Sequence, residues 1–272
     1  ESLYGWVRVI EEPARDLRFL TADASMIGAA SMSEGKSLLN YQKIVGLIPA
    51  LAPKMSRALI VGLGAGHMAK TLESQYGMVT DTLEIDPAVA DAAVKYFDFK
   101  PTGQSIVGDA RYEIAHLKGP YDLIIHDCFT GGSEPTHLLT VETLTQLRKL
   151  LSSNGILALN FVGFASDKST ALSSVSRTIG QVFPNQSVFM AEPGDDYNDF
   201  IFLASEQPID LSSKGLLADQ IVWLKERSFN VNKAQGVVLT DNFNPLEHLQ
   251  TEKSEHYRHV LVGWFGADLL VR

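Results

Sequence analysis

The chain has little cysteine and no clustering of other metal ligands. Cys128 is the only cysteine in 272 residues, which excludes an internal disulfide and favours a reducing compartment. The seven histidines show no metal-ligand spacing, so we expect no metal site.

The sequence also lacks an excess of basic residues. Lysine and arginine number 23 against 32 aspartates and glutamates, which gives a net charge of −9. Tight nucleic-acid binding needs a basic face, so nucleic acid is not an expected partner. An acidic balance suits cationic substrates, although it is most often only a property of a soluble surface.

Long hydrophobic runs and a signal peptide are absent as well. The longest apolar stretches are Ile156–Ala165 and Val260–Val271, and both are too short to span a bilayer. The first residue is Glu1, which is compatible with a processed chain or with a domain cut from a longer protein. We expect a cytoplasmic protein, or the cytoplasmic domain of a membrane protein.

Hydrophobic patterning divides the chain into three parts. Residues 1–37 alternate like strands, at Tyr4–Ile10, at Asp16–Leu20 and more weakly at Ser25–Ser31. Residues 38–206 begin with a helical pattern over Leu38–Leu51 and then alternate between strands and helices. Strands are predicted at 57–62, 80–84, 104–107, 121–126, 156–161, 187–191 and 199–205, and helices at 65–76, 87–97, 109–117, 140–152 and 168–182.

Residues 207–272 are expected to extend the same domain in a helical or irregular form. They contain a helix around 214–227, a strand-like Val237–Thr240 and an apolar tail. The predicted strands of the middle part are short and almost wholly apolar, as in a parallel sheet covered on both faces. The fold class is therefore α/β, with a Rossmann-like, doubly wound, mostly parallel sheet of seven strands and a small N-terminal β-region.

A glycine turn follows the first strand of this sheet. The sequence Gly62-Leu-Gly64-Ala65-Gly66 stands where a nucleotide-like ligand would approach the backbone. A dinucleotide fingerprint would place its third glycine at position 67, which is His67, so NAD is disfavoured. The spacing is more typical of folds that bind S-adenosylmethionine, although such a turn is often only structural.

Two further strand ends carry acids. Glu84 ends the second strand, 22 positions after Gly62, where it can hold the hydroxyls of a ribose. Asp109 and Ala110 follow the third strand, where the carboxylate can accept a hydrogen bond from an adenine amino group. Asp109 is also a good helix N-cap, and both roles are compatible.

The fourth strand ends at Asp127, where a transferred group would meet its acceptor. An amine acceptor is protonated at neutral pH, and a carboxylate at this position can orient the amine and take its proton. Asp127 is therefore the predicted catalytic residue; the alternative is an aspartate that only caps the loop. His126 and Cys128 are interpreted as packed side chains, and His67 is a weaker candidate for ligand contact.

These segments resemble the spermidine synthase (polyamine aminopropyltransferase) family. The resemblance runs from Tyr4 to Glu206 and includes Asn40-Tyr41-Gln42-Lys43, which a generic methyltransferase domain need not have. Pro135–Glu142 and Val238–Pro245 are similar to spermidine-synthase-like domains of membrane-fused bacterial proteins. The resemblance implies a class I S-adenosylmethionine-dependent methyltransferase fold, a role in polyamine biosynthesis and a homodimer assembled with help from the β-region.

By resemblance, the donor is decarboxylated S-adenosylmethionine or S-adenosylmethionine, the acceptor is a small amine or polyamine, and no metal takes part. The by-product is then methylthioadenosine or S-adenosylhomocysteine. Glu84 is expected to hold the ribose and Asp109 the adenine, and Asp127 is expected to act as the base that takes the acceptor proton. The full cofactor-binding set implied is Gly62, Gly64, Ala65, Gly66, Glu84, Asp109, Ala110 and Gln42, and Tyr41 and Thr130 are the expected substrate-binding residues.

Two departures from the family pattern leave the transferred group open. Ala65 stands where the family has an acid facing the aminopropyl ammonium, and Thr130 stands where its loop has a second acid. An uncharged residue 65 would tolerate the carboxylate of intact S-adenosylmethionine. The leading hypothesis is aminopropyl transfer with altered donor or acceptor specificity. The alternatives are methyl transfer to an amine and an inactive binding or scaffold protein.

Overall fold

Three antiparallel strands begin the fold, and the computed structural model describes residues 2–52, 54–212 and 215–266. The strands are β1 (Val7–Glu12), β2 (Leu17–Ala22) and β3 (Ser25–Ser31), in that order across a small sheet. The weak pattern of alanine and glycine in β3 does form a strand, as predicted. Its small residues allow close packing, because a Cβ on Gly28 would come within 2.6 Å of the Ala65 methyl group.

A second sheet of seven strands forms the centre of the molecule. Its strands are β4 (Arg57–Val61), β5 (Val79–Glu84), β6 (Ser105–Val107), β7 (Tyr121–His126), β8 (Leu151–Phe164), β9 (Asn185–Met190) and β10 (Tyr197–Ser205). Their order is β6-β5-β4-β7-β8-β10-β9, and β10 runs antiparallel to both of its neighbours. The predicted α/β class with a mostly parallel seven-stranded sheet is therefore confirmed.

Helices cover both faces of this sheet. They are α1 (Tyr41–Leu47), α2 (His67–Tyr76), α3 (Pro87–Phe97), α4 (Ala110–Ile114), α5 (Val141–Leu150) and α6 (Ala171–Val182). Side chains of β4 alternate between two apolar clusters, with Leu59 and Val61 in one and Ala58 and Ile60 in the other. Burial on both sides explains the continuous apolar strands read from the sequence.

Several boundaries differ from the prediction for local reasons. Helix α1 is shorter than Leu38–Leu51 and passes into a 3-10 turn that contains Pro49, which has no N–H for a helical hydrogen bond. Helix α6 begins three residues later than predicted, because Asp167 and Thr170 have positive φ angles of 45° and 62°. Strand β8 is longer than 156–161, since it pairs with β10 as far as Phe164.

The C-terminal part contains α7 (Ala218–Glu226), α8 (Leu246–Leu249) and α9 (Thr251–Phe265). The predicted strand at Val237–Thr240 was wrong. The Val237 and Leu239 N–H groups donate to the hydroxyls of Ser174 and Thr178 on α6, which replaces strand pairing. Position 214, where the predicted helix begins, and 267–272 of the apolar tail lie outside the described residues, as does Pro53.

Across the described ranges, no helix is both long enough and apolar enough to cross a bilayer. The carboxyl ends of β4, β5, β6, β7 and β8 lie at one edge of the central sheet, because these five strands are parallel. This edge brings together residues that are far apart in sequence, and it is where ligands bind in open α/β sheets.

Candidate active site

A cavity of about 720 Å³ lies at the carboxyl edge of the parallel strands. Its walls include Gly62 after β4, Glu84 on β5, Asp109 after β6 and Asp127 after β7. Helix α9 closes another side. No lysine or arginine among the described residues lines this strand-end cavity, whereas five carboxylates do, namely Glu84, Asp86, Asp109, Asp127 and Asp199.

The glycine turn brings bare backbone to the cavity. Gly62 has a φ angle of 95°, and a Cβ there would come within 2.1 Å of the Asp127 carbonyl oxygen. Gly64 has a φ angle of 53°, and its Cβ would lie 2.5 Å from the Ile27 carbonyl oxygen. Both positions therefore require glycine, and a ligand can approach the main chain here.

The next residues of the turn face away from the cavity. Ala65 is buried among apolar side chains that include Leu20 and Val89. Gly66 packs against the ring of Phe99, which a Cβ would approach to 2.7 Å. Ala65 and Gly66 were expected among the cofactor-binding residues, but neither lines the cavity.

Glu84 is fixed by the glycine turn. Its Oε2 accepts a 3.1 Å hydrogen bond from the Leu63 N–H, and its Oε1 accepts one of 3.0 Å from the Asp86 N–H. Burial raises the pKa of Glu84, and these backbone donors oppose that shift. Asp109 caps α4 by accepting a 3.1 Å bond from the Tyr112 N–H, and it also lines the cavity.

Asp127 lies at the bottom of the cavity in a polar network. The Tyr41 hydroxyl donates to its Oδ2 at 2.7 Å, and the Asn160 amide donates to its Oδ1 at 2.9 Å. The Gln42 amide in turn donates to the Tyr41 oxygen at 3.2 Å. Burial raises the pKa of Asp127, and the hydrogen bonds from Asn160 and Tyr41 oppose that shift.

Two further network residues were not assigned from the sequence. Asn160 on β8 also donates from Nδ2 to Oδ1 of Asp199 on β10, at 3.1 Å. Burial raises the pKa of Asp199 to about 7, and the nearby Asp127 carboxylate adds to the shift. The available signal was a polar side chain next to an apolar run in each strand, but only the pairing of β8 with β10 brings Asn160 and Asp199 together.

The loop after β7 and helix α9 close the cavity. Glu134 accepts hydrogen bonds from the Val162 N–H at 2.7 Å and from Lys253 on α9. Both charged side chains are almost fully buried, at 1% and 4% exposure. The Tyr257 hydroxyl accepts a 2.7 Å bond from the Met26 N–H of β3, so α9 also joins the N-terminal sheet to the site.

The secondary candidates take packing roles. His126 is fully buried, and burial lowers its pKa to about 4. His67 packs edge-to-face on Phe97 at 5.7 Å and does not line the cavity. The half-buried Cys128 does line it, and burial raises the pKa of its thiol well above the usual range. No group of three histidine, cysteine or acidic side chains within the described ranges could hold a metal ion.

Comparison with known proteins gives relatives of two kinds. Over 232 residues, 76% of this chain, the sequence is 38% identical to an N-terminal histidine N-methyltransferase of Emericella nidulans. Over 114 residues, 40% of this chain, it is 45% identical to a polyamine aminopropyltransferase of Vibrio vulnificus. The matched regions cover 41% and 38% of these two proteins, so the chain spans about two fifths of the length of each. No family model matches the chain.

Solved structures show the same fold. A probable spermidine synthase from Corynebacterium glutamicum matches 89% of this chain and 95% of its own, with a TM-score of 0.74 and 20% identity. A spermidine synthase in complex with the transition state analogue AdoDATO matches 85% of this chain and 84% of its own, with a TM-score of 0.62 and 18% identity. The chain therefore has the fold of these spermidine synthases, and part of its sequence is similar to polyamine aminopropyltransferases.

Most of the site residues that the resemblance implies line this one cavity. The expected residues that line it are Tyr41, Gln42, Gly62, Gly64, Glu84, Asp109, Ala110, Asp127 and Thr130. Thr130 is exposed, in a turn closed by its N–H and the Ser133 carbonyl at 2.9 Å. The arrangement combines a close backbone approach, acids at successive strand ends and the half-buried, hydrogen-bonded carboxylate of Asp127.

Proposed function

We propose that the chain is a transferase that moves an aminopropyl group from decarboxylated S-adenosylmethionine to a nitrogen of an amine acceptor. The observation that carries the proposal is Asp127, a half-buried carboxylate held by Tyr41 and Asn160 in the cavity that Glu84 and Asp109 also line. Ionised carboxylates are the residues that can hold and deprotonate an ammonium group.

The polar groups that line the cavity fit an adenosyl ligand. Glu84 would hold the ribose hydroxyls and Asp109, with Ala110, the adenine edge. Gly62 and Gly64 would admit the ligand to the backbone, with Gln42 completing the wall. The bound donor supplies a carbon activated by its bond to a sulfonium.

Asp127 would act on the acceptor. Its carboxylate accepts a proton from the acceptor ammonium, and the lone pair set free forms the new nitrogen–carbon bond. The carbon–sulfur bond breaks in the same step, and its electron pair stays on sulfur as a thioether. Tyr41 would keep the Asp127 carboxylate oriented, and its hydrogen bond opposes the rise in pKa that burial causes.

The charge of the cavity supports the decarboxylated donor. Five carboxylates and no lysine or arginine of the described chain line it. Decarboxylated S-adenosylmethionine is a dication, whereas the intact donor adds a carboxylate that these acids would repel. Ala65, an uncharged residue that would tolerate that carboxylate, is packed behind the turn and does not line the cavity.

Methyl transfer to an amine or imidazole nitrogen is the second candidate. It is favoured by the 38% identity to a relative named as an N-terminal histidine N-methyltransferase, the longer of the two matches described above. Asp127 would take the acceptor proton in the same way. An inactive scaffold is disfavoured because the carboxylates of the site are retained within an ordered network.

Calorimetry with three ligands tests the proposal. Decarboxylated S-adenosylmethionine, S-adenosylmethionine and methylthioadenosine are titrated separately, and mass spectrometry of a diamine incubated with each donor identifies the group added. Preference for the intact donor, with methylated product, would replace the first candidate by the second. Absence of binding of all three would leave the scaffold interpretation.

The proposed assembly and location rest on the resemblance. A homodimer built with help from β1, β2 and β3 is proposed, together with a cytoplasmic location or a cytoplasmic domain of a membrane protein. Light scattering of the purified chain measures its mass in solution, and a monomeric mass at all concentrations would remove the dimer.

A further inference from the structure

The N-terminal sheet has a free strand edge at β1. Strand β1 is the outermost strand in the order β1-β2-β3, so β2 pairs with only one of its two edges. The Asp23 N–H donates to the Trp6 carbonyl at 3.1 Å, which fixes the alternation of hydrogen bonds along the two strands. By this alternation, every second residue of β1 points its backbone N–H and C=O groups away from β2, namely Val7, Val9 and Glu11.

The outward backbone groups of β1 are unused. Within the described ranges, no hydrogen bond reaches the N–H or C=O groups of Val7, Val9 or Glu11. Natural proteins usually protect such an edge with a proline, a lysine or a bulge. Strand β1 contains neither proline nor lysine, and its register with β2 is unbroken. The edge can therefore pair with an incoming strand.

Helix α3 forms the second wall of a groove along this edge. The groove has a volume of about 600 Å³ and shares no lining residue with the strand-end cavity. Ala88, Ala92 and Tyr96 are four residues apart, so they share one face of the helix. The two alanines leave space between helix and strand. The groove is lined by Val7, Val9 and Glu11 of β1 and by Ala88, Asp91, Ala92, Lys95 and Tyr96 of α3.

Contacts between the sheet and α3 hold the groove in shape. Val9 packs on the apolar cluster that includes Ala92. The Arg18 guanidinium donates to the Glu11 carboxylate at 2.8 Å and also to the Tyr96 carbonyl in the last turn of the helix. The groove is therefore formed by the chain itself, and a partner would not have to open it.

The charge of the groove favours a basic partner. Asp91 is exposed and makes no hydrogen bond or ion pair in the part of the chain that the structure describes. Glu11 adds a carboxylate that Arg18 contacts, while Lys95 lies over the ring of Tyr96 at 5.1 Å. A second copy of this chain would bring the same two acids and a further net charge of −9, and like charges oppose such pairing.

We propose that the groove between β1 and α3 is a docking site for an extended, basic segment of a partner polypeptide, which adds a strand to the free edge of β1. Its main chain pairs with the three outward residues of β1, its alternate side chains face Ala88 and Ala92, and a lysine or arginine pairs with Asp91. This surface lies outside the proposed transfer site. The homodimer proposed above would then use other surfaces of the N-terminal sheet.

A designed peptide tests the groove. The probe is acetyl-Thr-Lys-Thr-Val-Thr-Lys-Thr-amide, whose lysines and valine share one face of an extended strand. It is titrated into isotope-labelled chain while the backbone amide resonances are followed by NMR. We expect the largest shifts at Val7, Val9 and Glu11 and along α3. An absence of these shifts at about 5 mM peptide would overturn the proposal, because a Kd of about 1 mM already gives mostly bound chain there.

Two N-methylated forms of the probe separate strand addition from a purely electrostatic contact. Successive residues of a strand point their N–H groups to opposite edges. Methyl groups on the backbone nitrogens of the two lysines block one edge, and methyl groups on those of the two inner threonines block the other. We expect one isomer to bind about tenfold or more weakly and the other to stay within a few-fold of the parent peptide. Equal affinities of the two isomers would overturn strand pairing.

Variants of the chain assign the contacts. Asp91→Asn should weaken the probe about two- to fivefold, as expected for an exposed ion pair. Asp98→Asn is the matched control, since Asp98 is exposed at the end of α3 and does not line the groove. Val9→Pro removes an N–H that the sheet does not use and should weaken the probe about threefold or more. The urea midpoint reports whether each variant is folded; if Val9→Pro is not, Asp91→Asn and the methylated peptides decide.

Two further outcomes would overturn the proposal. Shifts of the β1 amides that depend on chain concentration without peptide, together with a dimeric mass in light scattering, would assign the edge to a second copy. Tighter binding of the same peptide with glutamate in place of lysine would contradict a basic partner. The proposed function is tested separately by donor binding, and its failure would leave this docking surface unaffected, since the two sites share no residue.

Discussion

The Tyr41 hydroxyl and the Asp127 carboxylate form a 2.7 Å hydrogen bond across 86 residues of sequence. Tyr41 belongs to the first turn of α1, outside the strand–helix repeat that supplies the other acids. Burial together with the Asp127 and Asp199 charges raises the pKa of Tyr41 well above its usual range, so the phenol remains a donor. The neutral Tyr41 hydroxyl therefore orients the Asp127 carboxylate through one of its two oxygens.

Tyr41→Phe should shift the pH dependence of transfer. The Tyr41 hydrogen bond lowers the pKa of Asp127, so its loss raises that pKa and the acid limb of the kcat profile moves to higher pH. We expect kcat at neutral pH to fall about tenfold or more, from lost orientation as well as protonation. The measurement is kcat against pH for both proteins; a lower kcat with an unmoved acid limb would restrict Tyr41 to positioning.

Asp127→Asn should abolish transfer without abolishing donor binding. The amide keeps the shape but cannot take a proton, so a loss of about a hundredfold or more is expected in kcat. The affinity for methylthioadenosine, measured by calorimetry, should stay within a few-fold. Retained activity would remove Asp127 from the role of base.

Glu84→Gln should weaken the binding of methylthioadenosine. A carboxylate that accepts two ribose hydroxyls would be replaced by an amide with one acceptor oxygen, and about a tenfold to hundredfold loss of affinity is expected. Glu73→Gln is the matched control, since Glu73 is exposed on α2 and does not line the cavity. Equal affinities of the two variants in calorimetry would contradict the ribose role.

Lys253→Met should destabilise the fold. Burial raises the pKa of Glu134 and lowers that of Lys253, because both charged forms are disfavoured away from water. Each charge is therefore stabilised mainly by its contact with the other. Removing one partner leaves a buried charge, and we expect a loss of about 3–5 kcal/mol in the free energy of unfolding in urea. The double variant with Glu134→Gln should recover part of that loss.

Lys36→Met provides the comparison for that ion pair. Lys36 pairs with Glu34 at the surface, with side-chain exposures of 76% and 60%. No measurable change in the urea midpoint is expected, because exposed ion pairs are screened by solvent. Equal midpoints for Lys36→Met and Lys253→Met would show that the buried pair does not hold α9 in place.

His126 should make stability depend on pH in mildly acidic solution. Its folded pKa of about 4 lies below the unfolded value of 6.5, so the unfolded chain binds a proton first as the pH falls. Its contribution is complete above pH 6.5 and decreases toward pH 4. Between about pH 7.5 and 5, the free energy of unfolding should fall by about 2 kcal/mol from this residue.

The variant His126→Leu isolates the contribution of His126 to the pH dependence of stability. Its unfolding free energy should fall less steeply with decreasing pH than that of the wild type, because all other titrating groups are unchanged. His259→Leu serves as the control, since His259 is exposed on α9 and only its Nδ1 contacts the Glu255 carbonyl. Parallel curves for the wild type and His126→Leu would rule out a buried, neutral His126.

Local patterns in the sequence predicted most of the fold. Strand β7 and helix α3 have the predicted boundaries, because apolar runs and capping residues such as Asp86 act within a few residues. The predictions at Val237–Thr240 and at the start of α6 were wrong or displaced. At the start of α6, backbone N–H groups donate to the Asp167 carboxylate. At Val237–Thr240 they donate to hydroxyl groups on α6, and this contact depends on which helix packs beside the segment.

The sequence by itself determined the glycine turn, the acids at successive strand ends and the placement of Asp127, since parallel strands bring their carboxyl ends to one edge. Only the tertiary structure decided what surrounds Asp127. Pairing of β8 with antiparallel β10 joins Asn160 to Asp199, and the buried Lys253–Glu134 pair brings α9 over the cavity. Tertiary packing also buries Ala65 against Gly28 of β3, among apolar side chains and away from the cavity lining. These contacts join residues far apart in the chain, and no local pattern specifies them.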